Sequence, residues 1–170
     1  MYDFSLPSEF GRMYEDYFSK IYQHVFYRVL HKQDCEDLVS EIFLKVARNI
    51  FRFNPQEASF NTWIYTIARN TLIDYFRKRR NVVSLEHCDE LIWVDFDEQY
   101  ASIVGEDRRM LYQALRQLDH RSRQILSLKY FAGLNNREIS RLINLNESTV
   151  STIFLRSKRK MRELIDEKIS

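Results

Sequence analysis

Asn135–Lys160 reads NNREISRLINLNESTVSTIFLRSKRK, and the fold of the C-terminal third of the chain follows from this stretch. Asn135 followed three positions later by Glu138 fits a capping box, in which each side chain bonds the other residue's backbone N–H at a helix start. The NLN segment, residues 144–146, then breaks the helix, and its last asparagine can cap a second one. The stretch therefore predicts two short helices joined by a tight turn.

Apolar residues mark the inward faces of both predicted helices. They recur at the three- and four-residue steps of a helix and are Ile139, Leu142, Ile143, Leu145 and Val150, with Ile153 or Phe154. Ser140 is the small residue that a steep crossing of two helices needs. The pattern predicts a helix-turn-helix, although by itself it also fits a helical hairpin with a solvated basic face.

The outward face of the second helix is polar and runs into a basic cluster. The side chains that a DNA major groove would meet are those of Asn146, Ser148, Thr149, Ser151, Thr152, Leu155 and Arg156. Lys158, Arg159 and Lys160 follow at the end of the helix, where phosphates would be reached. The second helix is therefore the predicted recognition helix.

The rest of the chain also has helical periodicity. Hydrophobic residues make up 45% of the 170 positions, and glycine (three) and proline (two) are scarce. Apolar stripes that begin at Phe10, Leu38 and Phe60 predict three helices, and Asn54–Pro55 marks a turn before the third. Helical patterning resumes at Arg108. We therefore expect an all-α protein with two small helical domains, residues 8–80 and 108–168, joined by an acidic linker, residues 81–107.

Charge is segregated along the chain. Residues 1–80 hold 12 Lys/Arg and 10 Asp/Glu, residues 81–107 hold none and 8, and residues 108–170 hold 14 and 6. Such segregation indicates modules with separate partners. The basic C-terminal third is a candidate for nucleic-acid binding, because cations that neutralise phosphates release bound counterions.

Several classes of protein are disfavoured by the sequence. No apolar run approaches the roughly 20 residues of a membrane-spanning helix, and the N-terminus does not resemble a secretion signal. The two cysteines and four histidines lack metal-ligand spacing. We found no paired carboxylates, nucleophile triad or phosphate-binding glycine loop. We therefore expect a cytoplasmic protein without a metal, cofactor, small-molecule substrate or enzymatic activity.

Three stretches together resemble an RNA polymerase sigma factor of the extracytoplasmic-function (ECF) type. DCEDLVSEIFLKV (Asp34–Val46) looks like the family's region 2.2, and FNTWIYTIARNTLIDYFRKRR (Phe60–Arg80) is similar to its regions 2.3 and 2.4. Leu115–Leu164 looks like region 4. The resemblance covers roughly residues 10–80 and 108–165. It implies a protein that binds core RNA polymerase, directs it to promoter DNA and helps to open the −10 region.

The resemblance also implies a polymerase-docking surface on the second helix. This surface would contact the clamp-helix coiled coil of the polymerase's largest subunit, and its residues would be Asp34, Glu36, Asp37, Leu38, Glu41 and Lys45. Leu38, Val39 and Ile42 also fit a buried stripe, which is the stronger interpretation of these three residues taken one by one.

The resemblance implies a second surface that contacts the −10 element. Its residues would be Arg52, Phe53, Asn54, Ser59, Asn70, Arg77, Lys78, Arg79 and Arg80. The turn Arg52–Ser59 would receive a flipped-out base, with Asn70 bonding that base or its sugar, so that melting follows from preferential binding of the single strand. Trp63 is expected in the core because it lies in the apolar stripe. Tyr65 lies off that stripe and is expected to be exposed.

The recognition helix departs from the family pattern. Members often carry basic residues where this chain has Ser151 and Ile153, so fewer bidentate contacts to guanine are available and shape and phosphate contacts should count for more. The resemblance also implies an anti-sigma factor that holds the protein, often at the membrane. Two alternatives stay open: a stand-alone helix-turn-helix regulator, and a sigma-like adaptor that docks on polymerase without reading promoters.

Overall fold

The computed structural model describes Tyr2, residues 7–82 and residues 106–169. Every regular element in these residues is helical, which confirms the all-α prediction. The chain divides into two compact units, one with the first three α-helices and one with the remaining four. Residues 83–105, most of the predicted acidic linker, lie outside the described residues. Within the described ranges, no helix has both the length and the apolar character needed to cross a membrane.

The N-terminal unit consists of three long helices. Its elements are α1 (Pro7–Val29), α2 (Lys32–Asn49), a short 3-10 turn (Ile50–Arg52) and α3 (Phe60–Val82). Leu30 takes a left-handed conformation with φ of 56°, and the His31 imidazole then caps α2 by accepting the Asp34 N–H at 3.2 Å. The three helices pack on one another. Their shared core contains Met13, Ile21, Val25, Ile42, Val46, Ile64, Ala68 and Leu72.

A polar pair lies inside this core. Tyr65 is fully buried, so the prediction that it is exposed was wrong. The reason is a tertiary contact, because its ring packs edge-on against the buried imidazole of His24 on α1, with 5.2 Å between centroids. Both His24 ring nitrogens and the Tyr65 hydroxyl are without a hydrogen-bond partner among the described residues. Burial, helped by the nearby charge of Arg28, lowers the pKa of His24 to about 3, so the imidazole is neutral in the folded protein.

The C-terminal unit consists of four helices around a single core. They are α4 (Glu106–Arg116), α5 (His120–Tyr130), α6 (Asn136–Ile143) and α7 (Glu147–Ile169). Asp119 caps α5 by accepting the Ser122 N–H at 2.9 Å, and Gly133 takes φ of 64° in the loop after α5. The last helix, α7, packs against each of the other three. The core contains Ile125, Leu128, Leu134, Ile139 and Val150.

Candidate polymerase and nucleic-acid interfaces

Helices α6 and α7 form the helix-turn-helix, and a loop joins α5 to α6. The Glu138 N–H donates to Asn135 Oδ1 at 2.9 Å, and the Asn135 N–H donates to Glu138 Oε2 at 2.8 Å, so the capping box is complete. Asn144 ends α6 in the left-handed region, with φ of 54°. Its N–H and that of Leu145 both donate to the Ser140 carbonyl, the latter at 3.0 Å. These bonds make the turn tight, as a helix-turn-helix requires.

The outward face of α7 carries the predicted recognition residues. Thr149 and Ser151 are half-buried, whereas the rest are exposed: Asn146, Ser148, Thr152, Leu155, Arg156, Lys158, Arg159 and Lys160. Leu155 is the apolar member of this face and is 61% exposed. The Thr152 hydroxyl donates to the Ser148 carbonyl at 2.9 Å, so its oxygen faces outward as an acceptor. Lys160 is also engaged internally, because its ammonium donates to the Gln117 carbonyl at 3.1 Å.

The outward face of α2 is acidic with one apolar residue. Glu36, Asp37 and Glu41 are exposed, and Lys45 is half-buried, bonded to Glu41 at 2.6 Å and to the Thr71 hydroxyl of α3 at 3.0 Å. The residue that sequence reasoning missed is Leu44, which is 57% exposed on this face. Its spacing could have identified it, since it lies seven positions after Asp37 and three after Glu41 and so falls on the same face of the helix.

Leu38 does not belong to this outward face. It is only 5% exposed and lies on the inward side of α2, in the same stripe as Cys35, Val39 and Ile42. Its burial favours the alternative interpretation, in which Leu38 is a core residue, over a contact with polymerase. The physical reason is helical period, because one turn separates it from Cys35 and Ile42.

Asp34 is also turned inward, toward α3. Its Oδ2 accepts the Tyr75 hydroxyl at 2.6 Å and Arg79 Nη1 at 2.7 Å, and it lies 3.3 Å from His31 Nδ1. Arg79 Nη1 and the Tyr75 hydroxyl are also in contact. Burial and the bond to Asp34 raise the pKa of Tyr75. Burial alone would lower the pKa of Arg79, but the bonds and charges of Tyr75 and Asp34 outweigh it and the pKa is raised.

The loop before α3 is held by its own side chains. Asn54 accepts the Gln56 N–H at 3.1 Å and donates to Glu57 Oε1 at 2.9 Å, while the Ser59 hydroxyl accepts the Thr62 N–H at 3.1 Å. Asn54 and Ser59, which are predicted to contact DNA, thus also stabilise the conformation of the loop.

Aromatic rings pack together next to the same loop. Phe53 is half-buried, with its ring centroid 5.3 Å from that of Phe60 and 5.5 Å from that of Trp63. Trp63 is likewise half-buried in this group. Next to the loop, Arg52 is exposed and Phe51 is 81% exposed. Sequence reasoning missed Phe51, because nothing local distinguishes it from the buried Ile50 before it.

The exposed stripe of α3 starts at Asn70 and continues through Ile73 and Arg77. Arg69 Nη1 donates to Asn70 Oδ1 at 3.2 Å. A guanidinium only donates, so the amide oxygen must face Arg69 and the amide NH₂ is left to face outward.

The basic residues at the end of α3 differ in exposure and in their bonding partners. Arg77 is exposed and bonded to Asp74 at 3.0 Å, and Lys78 is exposed. Arg79 is half-buried through its bond to Asp34, and the side chain of Arg80 lies outside the described residues.

Both helical units match family models of the sigma-70 class. The model for sigma-70 region 2 matches residues 13–82, and the model for sigma-70 region 4 matches residues 108–161. Two such modules, in this order on one chain, define a sigma-70-class transcription factor.

Similar proteins indicate which type of sigma-70-class factor this chain is. The chain is 31% identical over 160 residues to the ECF RNA polymerase sigma factor BldN of Streptomyces coelicolor, an alignment that covers 93% of this chain and 61% of BldN. It is 29% identical over 177 residues to the ECF RNA polymerase sigma factor SigX of Bacillus subtilis, covering 96% of this chain and 89% of SigX. This chain belongs to the ECF sigma factors.

A solved structure has the same fold. The sigma factor RpoE, in its co-crystal structure with the anti-sigma factor NepR from Bartonella quintana, matches with a TM-score of 0.73 at 18% identity. The match covers 93% of this chain and 97% of that one.

Proposed function

We propose that this chain binds core RNA polymerase, directs it to promoters through a −10 and a −35 element, and helps to melt the −10 region. The observation that carries this proposal is the pairing of two sigma-70 modules with outward faces suited to separate partners. One is the acidic face of α2, and the other is the polar face of α7. Sigma factors contribute binding and no catalytic chemistry, and a protein that binds core polymerase and promoter DNA would act in the cytoplasm.

The docking surface on α2 consists of Glu36, Asp37, Glu41 and Leu44. Three exposed carboxylates with one exposed leucine suit a partner surface that is basic and has an apolar pocket. Charge complementarity mainly raises the rate of association, whereas burial of Leu44 adds affinity. Asp37→Lys and Leu44→Ala should therefore weaken core polymerase binding, and Glu15→Lys, on an exposed part of α1, is the matched control.

The −10 surface consists of the loop after α2 and the exposed stripe of α3. An exposed Phe51 can stack on an unpaired base, and the outward NH₂ of Asn70 can donate to that base. Both contacts exist only when the base has left the duplex, so they favour the melted strand. Asn70→Ala is therefore expected to impair open-complex formation more than initial promoter binding. Equal loss of both steps would contradict this assignment.

The −35 surface is the outward face of α7. Arg156 can bond guanine bidentately and Leu155 can contact a thymine methyl, while Lys158 and Arg159 reach phosphates. Arg156→Ala should cost about 1–3 kcal/mol at one base pair of the −35 element. Arg162→Ala, exposed farther along the same helix, is the matched control.

An anti-sigma factor is the further partner that we propose. RpoE of Bartonella quintana was crystallised with one, and its fold matches this chain. Such a partner would have to cover the α2 face or the α7 face in order to block polymerase or promoter binding.

The decisive experiment is transcription from a promoter library by purified core polymerase, with and without this protein. Promoter-specific initiation that depends on the protein is the expected result. A stand-alone regulator would bind DNA but support no initiation by core polymerase. An adaptor would bind core polymerase but give no promoter preference.

A further inference from the structure

The carboxylate of Asp34 joins the start of α2 to the end of α3. Its partners Tyr75 and Arg79 lie 41 and 45 positions along the chain, so the contact exists only because the two helices pack together. The Arg79 and Asp34 side chains are 35% and 27% exposed. The neighbouring pair Arg77–Asp74 is 69% and 45% exposed and joins residues three apart on one helix. These two arginines, only two positions apart, therefore have different surroundings.

We propose that Asp34 is an internal counter-ion that withholds Arg79 from DNA phosphate and makes no contact with polymerase. The proposal rests on the proposed function, since it concerns which cations of the −10 surface meet the DNA. It divides the basic end of α3 into phosphate-binding residues, Arg77 and Lys78, and a positioning residue, Arg79.

Three features of the site support the proposal. First, Arg79 Nη1 to Asp34 Oδ2 is a charge-assisted bond of 2.7 Å, and such bonds are roughly twice as strong as neutral ones. Second, the Tyr75 hydroxyl donates to the same carboxylate oxygen at 2.6 Å, so this oxygen is held by two residues of α3. Third, the backbone of Asp34 is fixed at the start of α2, because its N–H donates to His31 Nδ1 at 3.2 Å.

The pair also has an electrostatic consequence. The Arg79–Asp34 pair has zero net charge. A phosphate that approached Arg79 would therefore also meet the negative charge of Asp34. The Arg77–Asp74 pair is a weaker obstacle, because an exposed pair is screened by solvent and exchanges its partner readily. Arg77 should thus count as a released counterion on DNA binding, and Arg79 should count for much less.

The first arm of the test measures the pair without DNA. The urea midpoints of the full chain are compared for wild type, Asp34→Asn, Arg79→Gln and the double variant. Coupled residues should give non-additive midpoint shifts, with the double variant losing less than the two single variants together. Additive shifts would overturn the proposed pairing. This arm gives its answer even if the protein does not bind DNA, which would instead contradict the proposed function.

The second arm measures salt dependence of binding to a short, labelled, single-stranded DNA of mixed sequence. For single strands, each phosphate neutralised contributes about 0.7 to the slope of log K against log salt. Asp34→Asn should steepen the slope by about 0.7, because it frees Arg79. Arg77→Gln should reduce it by about the same amount, and Arg79→Gln should reduce it by clearly less.

The control for a general charge effect is the double variant Asp34→Asn, Arg79→Gln. If Asp34 acts through Arg79, the steeper slope should disappear in this variant. A slope that stays steep would show a long-range effect of the lost carboxylate, and an Asp34→Asn slope equal to wild type would likewise overturn the proposal. Asp34→Asn should also bind core polymerase with wild-type affinity, whereas a loss similar to that of Asp37→Lys would return Asp34 to the docking surface.

Discussion

Lowering the pH from about 7.5 to about 5.5 is expected to destabilise the N-terminal unit through one residue, His24. Its imidazole, on α1, is fully buried against the ring of Tyr65 from α3, and the charge of Arg28 lies on the same helix. The pKa is lowered from 6.5 to about 3 by this burial and by Arg28. The folded protein therefore keeps His24 neutral in a pH range where the unfolded chain protonates it.

The sign and size follow from linkage. A group whose pKa is lower in the folded state contributes stability above its unfolded pKa, and this contribution is lost as the pH falls. Between about pH 7.5 and about pH 5.5, protonation of the unfolded chain removes about 1.4 kcal/mol. The loss continues at about 1.4 kcal/mol per pH unit until the folded-state pKa of about 3 is reached.

The assay is urea unfolding at several pH values, monitored by tryptophan fluorescence, to which Trp63 of this unit contributes. The other histidines of the unfolded chain also take up protons in this range, so the quantity of interest is the difference between wild type and His24→Leu. That difference should change by about 1.4 kcal/mol over the stated range. Tyr65→Phe, which alters the same cluster but adds no titration here, should keep the wild-type dependence. Identical pH slopes for wild type and His24→Leu would refute the reasoning.

Four other substitutions have directions set by the structure. Gly133→Ala should destabilise the C-terminal unit by about 1–2 kcal/mol because its φ is 64°, whereas Gly11→Ala, in α1 with nothing within 4 Å of the added Cβ, should stabilise the other unit by about 0.5–1 kcal/mol. Urea unfolding checks both, and the opposite order would contradict the account. Asn135→Ala should lower the melting temperature of the C-terminal unit, at a cost of about 1 kcal/mol. Arg69→Leu should relax base preference at the position captured by Asn70, measured as open-complex yield with each of the four bases.

The helix-turn-helix was predictable because its determinants are local. The capping box depends on Asn135 and Glu138, three positions apart, and the turn depends on an asparagine that tolerates positive φ. Binary patterning then placed Ile139 and Val150 in the core. Such rules act within a few residues, so a single sequence is enough to apply them.

Two features that the sequence did not predict depend on long-range packing. Tyr65 lies off the apolar stripe of α3, yet a second helix, α1, covers it. The bond of Asp34 to Arg79 could not be predicted either, because the two residues are 45 positions apart in the sequence. Periodicity describes one face of one helix and does not report how many neighbours that helix has.

The predicted recognition helix, α7, has a buried face and an exposed face that differ in function. Val150 and Ser157 on the inner side are buried, and α7 packs on all three other helices of its unit. Ser148, Thr152 and Arg156 on the outer side are exposed. Under the proposed function, substitutions on the outer side would change the promoter sequence that is bound at little cost in folding stability, since exposed positions are typically within about 0.5 kcal/mol of neutral. Promoter preference can thus be redesigned, or can drift in evolution, at positions on which the fold does not depend.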